Sequence, residues 1–246
     1  MELTPDLSGR VALVTGAARG LGRAFALALA DHGADVAVHY NTSETAAHET
    51  AADARERGVD ATAVSADVTD PDLVDDLFSA VEAELGTVDV LVNNVGNFAP
   101  DHWEEIDWER WQSVTATNYD ATVLCSKRAL GPMREQAWGR IVNVGYASAE
   151  DGLVAPKNFP YFVAKAGVLM FTRMLAADTQ DDGVTVNAVS PYVVESSDEF
   201  PDDAPRGRWA RFDDLVAPAL FFCTEAASYV SGENVEVDGG WLPEDV

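Results

Sequence analysis

Apolar residues recur along the chain in two alternating patterns. Short runs rich in Val, Ala and Ile read as buried strands at Val11–Val14, Asp35–His39, Ala61–Ser65, Val88–Val92, Arg140–Val144, Thr185–Ala188 and Val235–Val237. Between them, longer stretches of helical periodicity predict helices at Leu21–His32, Glu44–Arg57, Pro71–Leu85, Trp108–Arg134, Pro160–Asp178 and Phe212–Ala226. The alternation predicts an α/β domain of repeated βα units, doubly wound, with a seven-stranded parallel sheet and helices on both faces. No Pro/Ser/Gly-rich linker, low-complexity tract or internal repeat interrupts it, so residues 1–246 read as a single domain. The longest irregular stretch, Pro191–Arg211, is longer than a plain connection needs and reads as a functional segment.

Composition narrows the function classes. Of 246 residues, 42 are acidic and 16 basic, a net charge of -26, while 47% are hydrophobic, too many for a disordered chain. No run approaches the ~18 consecutive apolar residues of a membrane helix. The start, Met1-Glu2-Leu3-Thr4-Pro5-Asp6, has neither a signal peptide nor a transit peptide, which points to the cytoplasm. Cys125 and Cys223 lack metal-ligand or CxxC spacing and read as small buried hydrophobes in a reducing compartment. So acidic a surface repels phosphate backbones and anionic lipid, so neither nucleic acid nor membrane is an expected partner. Acid is spread through the chain and Arg outnumbers Lys 13 to 3, which predicts a halophilic protein whose self-repulsion is screened at high salt.

Chemistry enters with Thr15-Gly16-Ala17-Ala18-Arg19-Gly20-Leu21-Gly22, between the first strand and the first helix. Glycines let the backbone turn sharply and approach a pyrophosphate, and the helix N-terminus offers free N–H groups and a positive dipole end. Gly16, Arg19, Gly20, Leu21 and Gly22 are therefore candidate dinucleotide contacts in a Rossmann-type arrangement. An acid near the end of the second strand would bind the ribose hydroxyls of NAD, but Tyr40 stands there, followed by the neutral donors Asn41, Thr42 and Ser43. With Arg19 close enough to pair with a 2′-phosphate, this predicts NADP(H) over NAD(H). Further on, Tyr161 and Lys165 lie four apart at a helix start and so on one face. A nearby ammonium stabilises phenolate, so Lys165 is expected to tune Tyr161 as a proton donor beside a nicotinamide, the chemistry of carbonyl reduction.

These motifs, in this order, resemble the short-chain dehydrogenase/reductase family over nearly the whole chain. Asp67-Val68 resembles its adenine-contacting acid, Asn93-Asn94-Val95-Gly96 its Asn-Asn-Ala-Gly after strand four, and Asp238-Gly239-Gly240 its C-terminal signature. The resemblance implies that Asn118 is the helix Asn that binds a relay water, and that Tyr161 and Lys165 are the catalytic pair, Lys165 also bonding the nicotinamide ribose. It places Pro191, Val194 and Ser196 at the nicotinamide end, and it implies a homotetramer, with Trp103, Trp108 and Trp111 as interface anchors or core.

Two departures stand out. The family's catalytic serine ends strand five, where this chain reads Val144-Gly145-Tyr146-Ala147-Ser148. Counting from the strand gives Tyr146, whereas counting back from Tyr161 gives Ser148; the reading favours Ser148 as the oxyanion partner, with Tyr146 shaping or sharing the site. The second is Pro191-Tyr192 in place of Pro-Gly, followed by a shortened lid carrying Arg206, Arg208 and Arg211. The resemblance implies a structural role for Arg208, whereas Arg206 and Arg211 either meet an anionic substrate, such as a coenzyme A thioester, or pair with Asp202, Asp203, Asp213 and Asp214. His32, His39, His48 and His102 lack metal spacing and read as surface or packing residues. The expected reaction is reduction of a 3-oxoacyl thioester on coenzyme A or a carrier protein. Pteridine reduction, sugar or polyol oxidation, and a non-catalytic dinucleotide-sensing regulator are the alternatives.

Overall fold

The strands sit side by side in the order β3-β2-β1-β4-β5-β6-β7, all parallel. They are β1 (Val11–Val14), β2 (Asp35–Tyr40), β3 (Ala61–Ser65), β4 (Val88–Asn93), β5 (Gly139–Val144), β6 (Val184–Pro191) and β7 (Asn234–Val237). The computed structural model describes residues 4–149, 155–197 and 204–241. Alternate residues of the central strands serve opposite faces. Ala12, Val14, Val36, Val38, Val90, Val92 and Val142 pack beneath α1 (Gly20–Asp31), α2 (Glu44–Arg55) and α7 (Phe212–Phe222). Val11, Leu13, Leu91, Ile141 and Val186 pack beneath α3 (Pro71–Glu84), α5 (Ala121–Glu135) and α6 (Phe159–Asp178). Burial on both faces is why these strands carry apolar residues without a polar side. Strand order reverses between β1 and β4, which leaves a crevice at their carboxyl ends, the usual ligand position in such sheets.

The elements depart from the sequence expectation by more than two residues in three places. The helix expected over Trp108–Arg134 is α4 (Trp108–Thr115), a π turn (Ala116–Asp120) and α5. Side chains take up carbonyls here: Asn118 Nδ2 donates to Val114 O at 2.9 Å, and Thr115 Oγ1 to Trp111 O at 3.1 Å. Such competition accompanies a widened turn, and π turns favour functional positions. β6 runs three residues past its expected end at Ala188, because pairing with β7 continues through Ser190 opposite Glu236 and Pro191 opposite Val237, and Pro191 is tolerated as the last residue. α7 stops at Phe222 rather than Ala226, since Thr224 Oγ1 accepts from Ala227 N–H at 3.1 Å and starts a separate 3₁₀ turn.

Candidate active site

The crevice at the strand reversal opens into a cavity of about 690 Å³. Its lining includes Gly16, Arg19, Tyr40, Asn41, Thr42, Ser43, Asp67, Val68, Asn94, Val95 and Gly96, eleven of the residues expected from sequence to hold a dinucleotide. Gly20, Leu21, Gly22, Tyr161, Lys165, Pro191, Val194 and Ser196 do not line it. Gly22 acts from behind, since a Cβ there would fall 2.3 Å from Gly16 O and 2.6 Å from Asn94 Nδ2. Only glycine lets α1 begin this close to the loop. Gly16 itself has φ +65°. The loop is tied down from below, where Asn94 Nδ2 donates to Thr15 O at 2.9 Å and Thr15 Oγ1 accepts from Asn94 N–H, also at 2.9 Å. From α2, Thr50 Oγ1 donates to Ala18 O at 3.1 Å.

Beyond Gly96 the cavity gives way to the residues with proton chemistry. A Cβ on Gly96 would lie 2.7 Å from Asn118 Oδ1 and 3.8 Å from Lys165 Nζ, so the glycine is where the cavity wall meets both groups. Asn118 is fully buried; its Nδ2 donates to Asn97 O at 2.9 Å, but its Oδ1 has no hydrogen-bond partner. A buried acceptor left free is costly unless something donates to it. Lys165 Nζ donates to Val144 O at 2.7 Å and lies 5.6 Å from the Tyr161 ring centre. Burial pulls the Lys165 ammonium down to about 8. Tyr161 moves against the sequence expectation of a lowered phenol, because burial, with Tyr146 adding a little, pushes it above its ordinary value. The phenol here keeps its proton, and the ammonium points to a strand carbonyl rather than to the hydroxyl.

Residues 16–242 match a family model described as enoyl-(acyl carrier protein) reductase, a branch of the short-chain dehydrogenases/reductases. The chain belongs to the short-chain dehydrogenase/reductase family. It is 36% identical over 244 residues to a 3-oxoacyl-[acyl-carrier-protein] reductase of Synechocystis, covering 96% of this chain and 98% of that one. It is 33% identical to a gluconate 5-dehydrogenase of Gluconobacter oxydans over 252 residues, covering 96% and 95% of the two. Among solved structures, a putative short-chain alcohol dehydrogenase from Sinorhizobium meliloti superposes with a TM-score of 0.90 at 33% identity, covering 96% and 98%. The landomycin C-6 ketoreductase LanV, solved with NADP and rabelomycin, gives 0.87 at 30% identity, covering 96% and 97%.

As a short-chain dehydrogenase/reductase, the chain is an oxidoreductase that uses a nicotinamide dinucleotide. The residues fit that group: close-approach glycines, a helix N-terminus, and an orphaned acceptor at Asn118 beside Gly96. Of the two candidates for the serine position, the Tyr146 ring stands 5.7 Å from Tyr161 at 76°. Burial pushes its phenol up to about 12. Ser148 lies two residues further, buried, at φ +62°, with its N–H donating to Glu236 of β7 at 2.5 Å. Rings continue outward from Tyr161 to Phe98 at 4.7 Å, and from Tyr146 to Tyr192 at 6.5 Å, which stacks on Trp241 at 3.8 Å.

Two of the three lid arginines are engaged. Arg208 makes two bonds to Asp214, 2.6 and 2.9 Å, and Arg206 Nε donates to Gly239 O at 3.1 Å. The Arg208 guanidinium holds the Asp214 carboxyl at about 2. Asp202 and Asp203, also considered as partners, lie outside the described residues. Cys125 and Cys223 are free and buried, as expected, and burial pushes both thiols up to about 12. Among the described residues no helix is long and apolar enough to cross a membrane. Sequence reasoning missed His39, Thr69, Asn97, Ser113, Ala116 and Thr117, which line the cavity, and Thr50, which tethers its loop; Thr15 and Ala18 stood in the glycine motif without an assigned role. Those outside the glycine motif owe their place to packing across the fold, and none of them stood in a motif quoted above.

Proposed function

We propose that the protein reduces a carbonyl to a secondary alcohol with NADPH, and that its substrate is a 3-oxoacyl thioester. The observation that carries this is the meeting of Asn118 Oδ1 and Lys165 Nζ at Gly96, where the dinucleotide cavity ends. A bound nicotinamide supplies hydride to the carbonyl carbon. Tyr161, protonated in its buried setting, gives its proton to the carbonyl oxygen. Tyr146, on the Tyr161 ring edge, is the second hydroxyl donor to that oxygen, and Ser148 acts by shaping the turn behind it. Lys165 holds the nicotinamide ribose, and Asn118 Oδ1 accepts from a water that returns a proton toward Tyr161. Support for NADPH comes from Arg19 and Tyr40 on the rim of the cavity, and from the NADP bound in the landomycin ketoreductase. Support for the thioester comes from the named activity of the Synechocystis relative, whereas the Gluconobacter relative favours polyol oxidation.

The test is initial-rate oxidation of NADPH and NADH in high-salt buffer against acetoacetyl-coenzyme A, a pterin and a ketone panel, with gluconate oxidation run in reverse. Thioester-dependent NADPH oxidation is expected. Turnover of gluconate alone would overturn the substrate, preference for NADH would overturn the cofactor assignment, and cofactor binding with no turnover would favour a sensor.

A further inference from the structure

We propose that His39 positions the dinucleotide-binding loop: as a neutral imidazole protonated on Nε2, it accepts the Gly16 N–H and so holds the loop in its cofactor-receiving shape. The proposal rests on reading the cavity as the dinucleotide site. His39 is 1% exposed, and it forms part of the cavity lining. Its Nδ1 accepts from Gly16 N–H at 3.0 Å, and its Nε2 faces Ala66 O at 3.1 Å. A backbone N–H can only donate and a carbonyl can only accept, so these two contacts fix the tautomer without appeal to any titration. A second proton, on Nδ1, would set two N–H groups against each other inside the wall.

The backbone of His39 and of its neighbour Tyr40 makes the same connection. Ala17 N–H donates to His39 O at 2.9 Å, and Ala66 N–H donates to Tyr40 O at 3.0 Å. His39 thus joins two rims of the cavity: the glycine loop on one side, and the end of β3 leading into Asp67 on the other. Thr15 and Asn94 hold the loop from below and Thr50 from α2, but neither reaches the Gly16 N–H. Without His39 that N–H would lose its partner in a half-buried wall, at a residue already held at φ +65°, and the loop would be free to shift. Burial also depresses protonation of the ring, in keeping with the neutral form.

The test compares His39→Leu, which keeps bulk and removes both ring bonds, with His39→Asn, whose Oδ1 carries an acceptor the same two bonds from Cβ as Nδ1. NADPH and NADH binding is followed by tryptophan fluorescence, and kcat is measured at saturating cofactor. His39→Leu should weaken binding by about tenfold or more while lowering kcat far less, and His39→Asn should recover most of the loss. Nitrogen-15 NMR of the wild-type imidazole supplies a reading that needs no variant to fold: Nδ1 should be bare and Nε2 protonated at neutral pH. A proton on Nδ1, a folded His39→Leu that binds NADPH like wild type, or a His39→Asn no better than His39→Leu would each overturn the proposal. Wild-type protein that binds neither dinucleotide would instead overturn the underlying reading of the cavity.

Discussion

The two halves of the site are built on different principles. The dinucleotide half is a loop held by directional bonds from Thr15, His39, Thr50 and Asn94, each group matched to a backbone partner. The half that we assign to substrate is a row of rings, Phe98, Tyr161, Tyr146, Tyr192 and Trp241, in which shape rather than hydrogen bonding sets position. Directional bonds fix a backbone shape to suit one ligand, whereas ring contacts tolerate sliding and re-packing. The first half is thus committed to its ligand and the second is open to variation, which accords with a family that keeps one cofactor and changes substrates.

The largest expected effect separates the halves completely. Tyr161→Phe should lower the reduction rate by roughly 10²–10⁴-fold, the usual contribution of a positioned proton donor, and leave dinucleotide binding unchanged. Stopped-flow hydride transfer with a parallel fluorescence titration would show this. Comparable loss of binding would mean that Tyr161 belongs to the cofactor half after all.

Lys165 stands at the border, and its burial gives a stability prediction with a definite sign. Its folded value is about 8 against an ordinary 10.5. Below pH 8 the ammonium is charged in folded and unfolded chains alike, so the folded chain carries the full cost of burying it. Between 8 and 10.5 the unfolded chain binds more protons, so stability rises with pH, by about 3 kcal/mol in all, and levels off above. Lys165→Met should abolish this rise. Denaturant melts of both proteins across that range would reveal it, and parallel curves would show that the lysine is not desolvated.

A smaller effect concerns the serine position. Tyr146→Phe should cost about tenfold to a hundredfold in kcat, the scale of one lost donor to a developing oxyanion, while Ser148→Ala should cost little beyond stability. The reverse ranking would restore the assignment that counting back from Tyr161 favours.

How much of this was legible beforehand differs between the halves for a physical reason. The seven strands follow from periodicity, because strand burial leaves local marks in sequence; of the cavity residues, Gly16 and Arg19 follow from the glycine motif, Tyr40–Ser43 from the end of the second strand, and Asp67, Val68, Asn94, Val95 and Gly96 from the family resemblance. His39 left none: a histidine in a strand reads as packing, and its value depends on Gly16 and Ala66 lying beside it in the fold. The π turn at Asn118 was hidden in the same way, since unbroken apolar periodicity does not register a side chain taking the carbonyl of Val114. At strand five the sequence offers two countings, and the choice between Tyr146 and Ser148 rests on the ranking of their variants; the structure adds that the Tyr146 ring packs on Tyr161.

The smallest expected effect tests whether the substrate half holds any cation free for an anionic substrate. Arg208 and Asp214 are both partly exposed, at 48% and 32%, and bonded to each other in a two-point fork. Exposed pairs contribute little and are screened by salt. If the pair serves only the lid, Arg208→Ala should leave the KM for acetoacetyl-coenzyme A within about twofold and lower the melting temperature slightly in dilute buffer. Molar potassium chloride should erase that difference, since at a Debye length of roughly 3 Å the -26 net charge also ceases to act on the lid. A KM that rises severalfold only for the phosphate-bearing thioester, and not for a small ketone, would show that Arg208 leaves Asp214 to meet substrate. The ring-lined half would then contain a directional contact of the kind that otherwise distinguishes the cofactor half.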